Sequence, residues 1–182
     1  MHTRYDSCLA GGPARRGEAL FMPEYIYCVS CMTSSETVVA RLIEETFHVR
    51  TIYLSYDREE QKNGIWKTIT HPVHFGYVFV YADQPVNPLR ICDIENVNRV
   101  LQYGDGESNL SGEDRFFAEW VLQCDGHIGL SKALLVGDKT RIINGPLKDY
   151  EGIIRKIDRH KRRVWVDVMV GDEVKSIQMY FE

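Results

Sequence analysis

Between Arg163 and Val170 the chain reads RVWVDVMV. Successive side chains of a strand alternate sides, so Val164, Val166, Val168 and Val170 share one face and Trp165, Asp167 and Met169 the other. Gly171-Asp172 follows at once as a two-residue hairpin signal, and Val174–Tyr180 resumes the extended pattern. Lys139–Ile143 and Glu151–Ile157 also alternate, on either side of a Gly145-Pro146 turn. Residues 137–182 therefore read as all-β, with four or five short strands that make a small barrel.

The preceding hundred residues have a different texture. Tyr25–Met32 is β-branched and aromatic, a first strand. Thr33 and Glu36 form a capping-box pattern ahead of Val38, Val39, Leu42, Ile43, Thr46 and Phe47, whose spacing predicts a helix of about three turns. Strands are predicted over Thr51–Tyr56 and Ile65–Thr70, joined by the polar, hairpin-like stretch Asp57–Gly64. Gly76–Tyr81 (GYVFVY) is a continuous apolar run short enough for a buried strand. A short helix over Leu89–Ile94 and a strand over Val97–Tyr103 follow. Ser111 and Asp114 offer another helix start, with Phe117, Trp120, Val121 and Cys124 on one apolar face. This order predicts an α+β sandwich with helices packed on an antiparallel sheet.

Composition narrows the function classes. The chain has 182 residues, 44% of them hydrophobic, which suits one mid-sized domain or two small ones and excludes disorder throughout. No window reaches the roughly 18 uninterrupted apolar residues of a membrane span, so no membrane partner is expected. Five cysteines at irregular spacing do not make a disulfide framework, and a reducing cytoplasm is the expected location. Cys28 and Cys31 have CxxC spacing, the one hint of redox enzymology. On a strand, however, an odd separation points them to opposite faces, which favours structural cysteine. His71 and His74 lack a second ligand pair at zinc-site spacing, so no metal is expected. There is no phosphate-cradling glycine loop and no GxSxG elbow. No cofactor and no catalysis are expected.

Charge is distributed unevenly. Residues 1–136 carry 12 basic and 18 acidic side chains, net −6, whereas residues 137–182 carry 10 basic and 8 acidic, net +2. Arg155–Arg163 (RKIDRHKRR) holds six cations against one anion. Its plainer reading is a hairpin turn kept soluble by charge. Two features favour contact with nucleic acid: the run crosses a turn between two strands, so its side chains fan out from one point, and it is rich in arginine, whose planar forks suit phosphates and guanine edges.

These residues resemble a known family. Gly137-Asp138-Lys139-x-Arg141-Ile142-x-x-Gly145-Pro146-Leu147-x-x-Tyr150-Glu151-Gly152 looks like a KOW motif, whose glycines serve tight turns between short barrel strands. Gly76-Tyr77-Val78-Phe79-Val80 resembles the PGYVFV strand of the NusG N-terminal (NGN) domain. Tyr27-Cys28-Val29 with Ser34-Ser35-Glu36 resembles that domain's opening WYV…SGxE, and Leu110-Ser111-x-x-Asp114 its LSxxE helix start. Within the family, GPLKDYEGIIRKIDRHKRR is similar to the LoaP-type specialised antiterminators. Phe75, Ile26, Ser34 and Asp149 depart from the usual proline, tryptophan, glycine and glycine.

The resemblance implies a ferredoxin-like α/β sandwich (NGN) over residues 22–125, a short linker over 126–136, and an SH3-like KOW β-barrel over 137–182. It implies a non-enzymatic transcription elongation factor that docks on the clamp helices of bacterial RNA polymerase and promotes processive antitermination. Val73, His74, Phe75 and Tyr77 sit where the polymerase-contacting patch begins, although Phe75 and Tyr77 also read as core. The implied RNA-binding set, facing a hairpin in the nascent transcript, is Lys148, Arg155, Lys156, Arg159, His160, Lys161, Arg162 and Arg163. Two alternatives stand beside it: a general NusG-type factor whose barrel contacts ribosomal or other transcription proteins, and a ribosome-associated KOW protein.

Residues 1–21 show no structural period and read as an unstructured extension or as sequence upstream of a start at Met22. A chain beginning at Met22 is accordingly expected to melt at the same temperature as the full chain in a calorimetric comparison. A marked drop would show that the extension packs on the domain.

Overall fold

The computed structural model describes residues 23–129, 132–136, 139–144, 154–171 and 173–180, with backbone only for 132–136 and 139–144. In chain order the elements are β1 (Tyr25–Cys31), α1 (Glu36–Phe47), β2 (Arg50–Ile52), β3 (Ser55–Lys62), β4 (Ile65–Pro72), β5 (Tyr77–Ala82), α2 (Pro88–Cys92), β6 (Val97–Val100), α3 (Gly112–Gln123) and β7 (His127–Ile128), followed by five strands. Those are β8 (Lys132–Val136), β9 (Lys139–Asn144), β10 (Ile154–Asp158), β11 (Arg163–Val170) and β12 (Glu173–Tyr180). The fold is α+β. No helix among the described residues is long and apolar enough to cross a membrane.

Strands β2-β5-β1-β6 form an antiparallel sheet whose two inner strands are covered on both sides. On one side Ile26 and Cys28 of β1 and Tyr77, Phe79 and Tyr81 of β5 pack with Phe117, Ala118, Trp120 and Val121 of α3. On the other, Tyr27, Val29 and Cys31 with Val78 and Val80 meet Val39, Ala40 and Ile43 of α1 and Ile91 of α2. Two-sided burial is why GYVFVY reads as a continuous apolar run and not as an alternation. Cys28 and Cys31 fall in opposite layers as free thiols. Burial pushes the Cys31 thiol up to about 12 and Cys28 higher still, so both are protonated at neutral pH, a state unsuited to thiolate chemistry.

Three local expectations change. The capping box does not form: Ser35 occupies the N-cap and makes no side-chain capping bond. Glu36, 1% exposed, instead turns its carboxylate inward and accepts the Gly76 backbone N–H at 2.8 Å. Gly76 has φ +76°, which glycine adopts freely. Thr51–Tyr56 is not one strand, because the chain leaves the first sheet after Ile52. At that break Gly126 lies against Tyr53 O and Ile52 Cγ2, where a Cβ has no room, and its carbonyl accepts the Ser55 N–H at 2.8 Å. Finally, the polar stretch Asp57–Gly64 is mostly strand. β3 and β4 pair along eight residues each and reverse at Asn63-Gly64, both at positive φ, as a tight two-residue hairpin requires. Ile65 and Trp66 near its tip are 62% and 65% exposed, so the arm lacks the apolar alternation that marks a half-buried strand.

In the C-terminal segment β10, β11 and β12 form an antiparallel meander, and β8 pairs with β9. The valine face of β11 is buried as the alternation predicts. It joins the same apolar cluster as β5 and α3, a packing the sequence did not reveal. The far end of the β11–β12 hairpin is tied to the N-terminal elements. Gly171 N–H donates to Asp114 at 2.7 Å, the Tyr77 hydroxyl to Glu173 at 3.1 Å, and Arg99 to Glu173 at 3.1 Å. The Tyr180 ring stacks on Tyr56, with centroids 5.0 Å apart.

The Glu36–Gly76 bond gives a direct test. Glu36→Ala leaves a buried N–H without its acceptor and is expected to destabilise by about 2 kcal/mol, read from urea unfolding midpoints. Glu36→Gln, which keeps an acceptor oxygen, should cost less. A loss under about 0.5 kcal/mol for the alanine variant, the range of ordinary surface changes, would show that the bond contributes little.

Candidate nucleic-acid interface

The basic run occupies the turn between β10 and β11, and one carboxylate organises it. Asp158, the last residue of β10, faces Arg163 across the ladder. Its Oδ1 accepts the Lys161 backbone N–H at 3.0 Å, and its Oδ2 accepts Arg163 Nε and Nη2 at 3.4 Å each. Arg162 N–H reaches back to Arg159 O at 3.4 Å, and Arg162 itself sits at φ +50°. The lone anion of RKIDRHKRR thus closes the turn from inside. Arg159, His160, Lys161 and Arg162 are exposed around it. Three permanent cations and a histidine on one closed turn concentrate positive potential at a compact point of the surface.

The remaining residues of the set lie on the adjoining sheet face. Arg155 is 3.9 Å from Asp167 and donates to Ser176 Oγ at 3.4 Å. Asp167 also accepts from the Ser176 hydroxyl. Arg163 donates to Gln178 Oε1 at 3.5 Å besides holding Asp158. Lys156 Nζ and Arg163 Cζ each lie 5.0 Å from the centroid of Trp165. Lys148 lies outside the described residues. The alternation of β11 places Trp165 on the outer face with Asp167 and by itself assigns it no further role. The available signal was its two-residue spacing from Arg163, which places a cation beside the ring.

The second predicted group is distributed differently. Val73, Phe75 and Tyr77 are buried, whereas His74 is exposed, with its Nδ1 3.2 Å from Ser34 Oγ. Phe75 packs 5.1 Å from the Tyr77 ring and 6.4 Å from Phe117. Tyr77 meets the C-terminal hairpin, its hydroxyl on Glu173 and Lys175 Nζ 5.5 Å above its ring. A separate polar cluster joins β7 to β3. His127 Nε2 is 2.9 Å from Asp57 Oδ2, Ser55 Oγ is 3.4 Å from His127 Nδ1, and Thr70 donates to Asp57 Oδ1 at 2.8 Å. Ser55 is the first residue of β3, and these bonds link β7 to β3 and β3 to β4. Among the described residues no group of three or more His, Cys, Asp or Glu is placed to hold a metal ion.

No protein-family model matches the chain, and no curated protein does.

The Lys161 N–H, followed by Arg163, holds the Asp158 carboxyl below the usual carboxylate range. A depressed folded pKa stabilises the closed turn above the ordinary carboxylate value, and that contribution is lost as pH falls through the folded value. The Lys161 amide resonance should therefore titrate with a midpoint below that of an unperturbed aspartate. Asp158→Asn should abolish the transition. A midpoint at the ordinary value would show that the turn does not depend on the ionised carboxylate.

Proposed function

We propose that this chain is a non-enzymatic transcription elongation factor of the NusG type. In this reading it holds a bacterial RNA polymerase in its elongating state and is recruited by a nascent RNA hairpin. The observation that carries it is the closed turn Asp158–Arg163, which presents Arg159, His160, Lys161 and Arg162 outward from an otherwise anionic protein. A solvated solubility patch needs no internal carboxylate to fix its backbone. A surface that must meet phosphates at set positions gains from one, because fewer conformations are lost on binding. The NGN-like and KOW-like motifs supply the rest. Residues 22–125 would act as the polymerase-docking sandwich and 137–182 as the RNA-facing barrel, joined by 126–136. Of the docking residues, His74 meets a partner directly, while Val73, Phe75 and Tyr77 shape the strand entry behind it.

One observation favours a second reading. Met169 and Val174 are cross-strand partners on β11 and β12 and stand 47% and 60% exposed. An apolar pair at a hairpin end suits a protein contact, as in a general elongation factor whose barrel binds ribosomal or termination proteins.

The test uses the full chain with purified bacterial RNA polymerase on a template carrying an intrinsic terminator behind its own leader. Readthrough should rise when the protein is added. The triple variant Arg159→Ala, Lys161→Ala, Arg162→Ala should lose hairpin binding while still docking on the polymerase. Its log-affinity against log-salt slope should flatten by roughly one unit for each phosphate contact removed. Unchanged readthrough with the protein bound to polymerase would refute the elongation reading. Equal RNA affinity of the folded triple variant across a salt series would reduce the turn to a solvated surface.

A further inference from the structure

We infer that Trp165 is a stacking platform for one unpaired RNA base, placed beside the phosphate-binding turn. The inference rests on the nucleic-acid reading of that turn and names the form of RNA it takes.

Trp165 stands at the centre of the outer face of the meander. β11 is the middle strand, and Trp165 lies directly opposite Lys156 on β10 and Gln178 on β12. The core does not need it. Its sequence neighbours Val164 and Val166 are fully buried on the inner face, and Trp165 belongs to neither apolar cluster of described residues. It is partly exposed, and its surroundings are polar and cationic. A large aromatic ring on a solvent-facing sheet, with cations in reach of its face, is the arrangement on which bases stack without regard to sequence.

The two cations over the ring are held differently. Arg163 is fixed by Asp158 on one side and Gln178 on the other. Lys156 is exposed, and among the described residues its ammonium has the ring as its contact. A flexible lysine stem can leave the ring for a phosphate oxygen at little cost and vacate the indole for a base. Arg163, held by Asp158 and Gln178, stays 5.0 Å from the ring centroid and continues the cationic surface into the turn. Trp165 is three residues from Arg162, about 10 Å along a strand. A base on the indole therefore has its neighbouring phosphates near the turn cations.

This geometry selects against a continuous duplex. The phosphates of a double helix can meet the turn, but its bases are stacked on one another and offer no face to Trp165. A loop, bulge or single-stranded flank offers one. The occupant is therefore an unpaired nucleotide next to a phosphate-contacting stem.

The chain has three tryptophans, of which Trp120 is buried, so full-length protein carrying Trp66→Phe leaves Trp165 as the accessible reporter. Two probes of equal phosphate number are titrated: a stem-loop RNA with an unpaired adenine loop, and a blunt RNA duplex. Indole fluorescence should be quenched on saturation by the stem-loop and not by the duplex. Trp165→Leu should bind the stem-loop about tenfold more weakly, with duplex affinity and salt slope unchanged. Trp165→Tyr, which keeps a ring and guards against misfolding of the leucine variant, should recover most of that loss. Binding of the stem-loop without quenching, or equal quenching by the duplex, would overturn the platform while leaving the phosphate-binding turn intact. Failure of wild-type protein to bind either RNA would overturn the nucleic-acid reading itself, and the platform with it.

Discussion

Strands β1 and β5 are the constraint on which the N-terminal architecture depends. They pair along six residues, Tyr25 to Ser30 against Ala82 to Tyr77, and are buried on both faces. A strand with two buried faces has no solvent side on which to place polar groups. Its backbone donors and acceptors must be satisfied by neighbouring strands, and its ends by turns. The end of the β4–β5 connection at Gly76 is where this requirement is met by a side chain. There a buried carboxylate from the first turn of α1 accepts the backbone N–H. That contact fixes α1 against the sheet at the point where the chain enters β5. The helix packing on one face and the strand order are thereby coupled through one residue.

The C-terminal hairpin is joined to this frame by a second carboxylate. Glu173 receives the Tyr77 hydroxyl, Arg99 and Lys175 together. Its carboxyl is held below the usual range first by the Lys175 hydrogen bond and then by the Tyr77 hydroxyl. Tyr77 thus belongs to both halves: its ring lies in the core beside Phe75, and its hydroxyl reaches the hairpin. Glu36, Asp158 and Glu173 share a logic. Each is an acidic side chain that organises backbone or cations around itself: Glu36 from inside the core, Asp158 within its turn and Glu173 from a half-exposed position. The excess of acid over base in the chain includes these three acidic residues, whereas the cations of the turn are exposed.

That division separates the apolar and the ionic work of the β11 strand. Its valine face contributes to the shared core, and its outer face carries Arg163, Trp165 and Asp167 in a row beside the basic turn. A ligand-binding surface on the outer face can therefore vary without disturbing the packing beneath it, since neighbouring residues of a strand point to opposite sides.

Much of this was legible from local pattern. The alternation of Arg163–Val170, the apolar run Tyr77–Tyr81 and the helix face of Phe117, Trp120 and Val121 report burial directly, because each periodicity has one simple packing solution. The opposite placement of Cys28 and Cys31 followed from the same geometry. Pattern failed where a distant partner decided the outcome. Glu36 left a capping box for a glycine 40 residues away. The strand after Arg50 broke where Gly126 packs against Tyr53, and the β3–β4 arm extended without an apolar face to announce it. The sequence alone determined which residues have an inside and an outside, and where the cations concentrate. Only the tertiary structure decided that the valine face of β11 joins the core of α3 and β5, that Asp158 closes the basic turn, and that Trp165 lies between Lys156 and Gln178. Those outcomes depend on contacts between segments far apart in the chain or on different strands, and no local period encodes them.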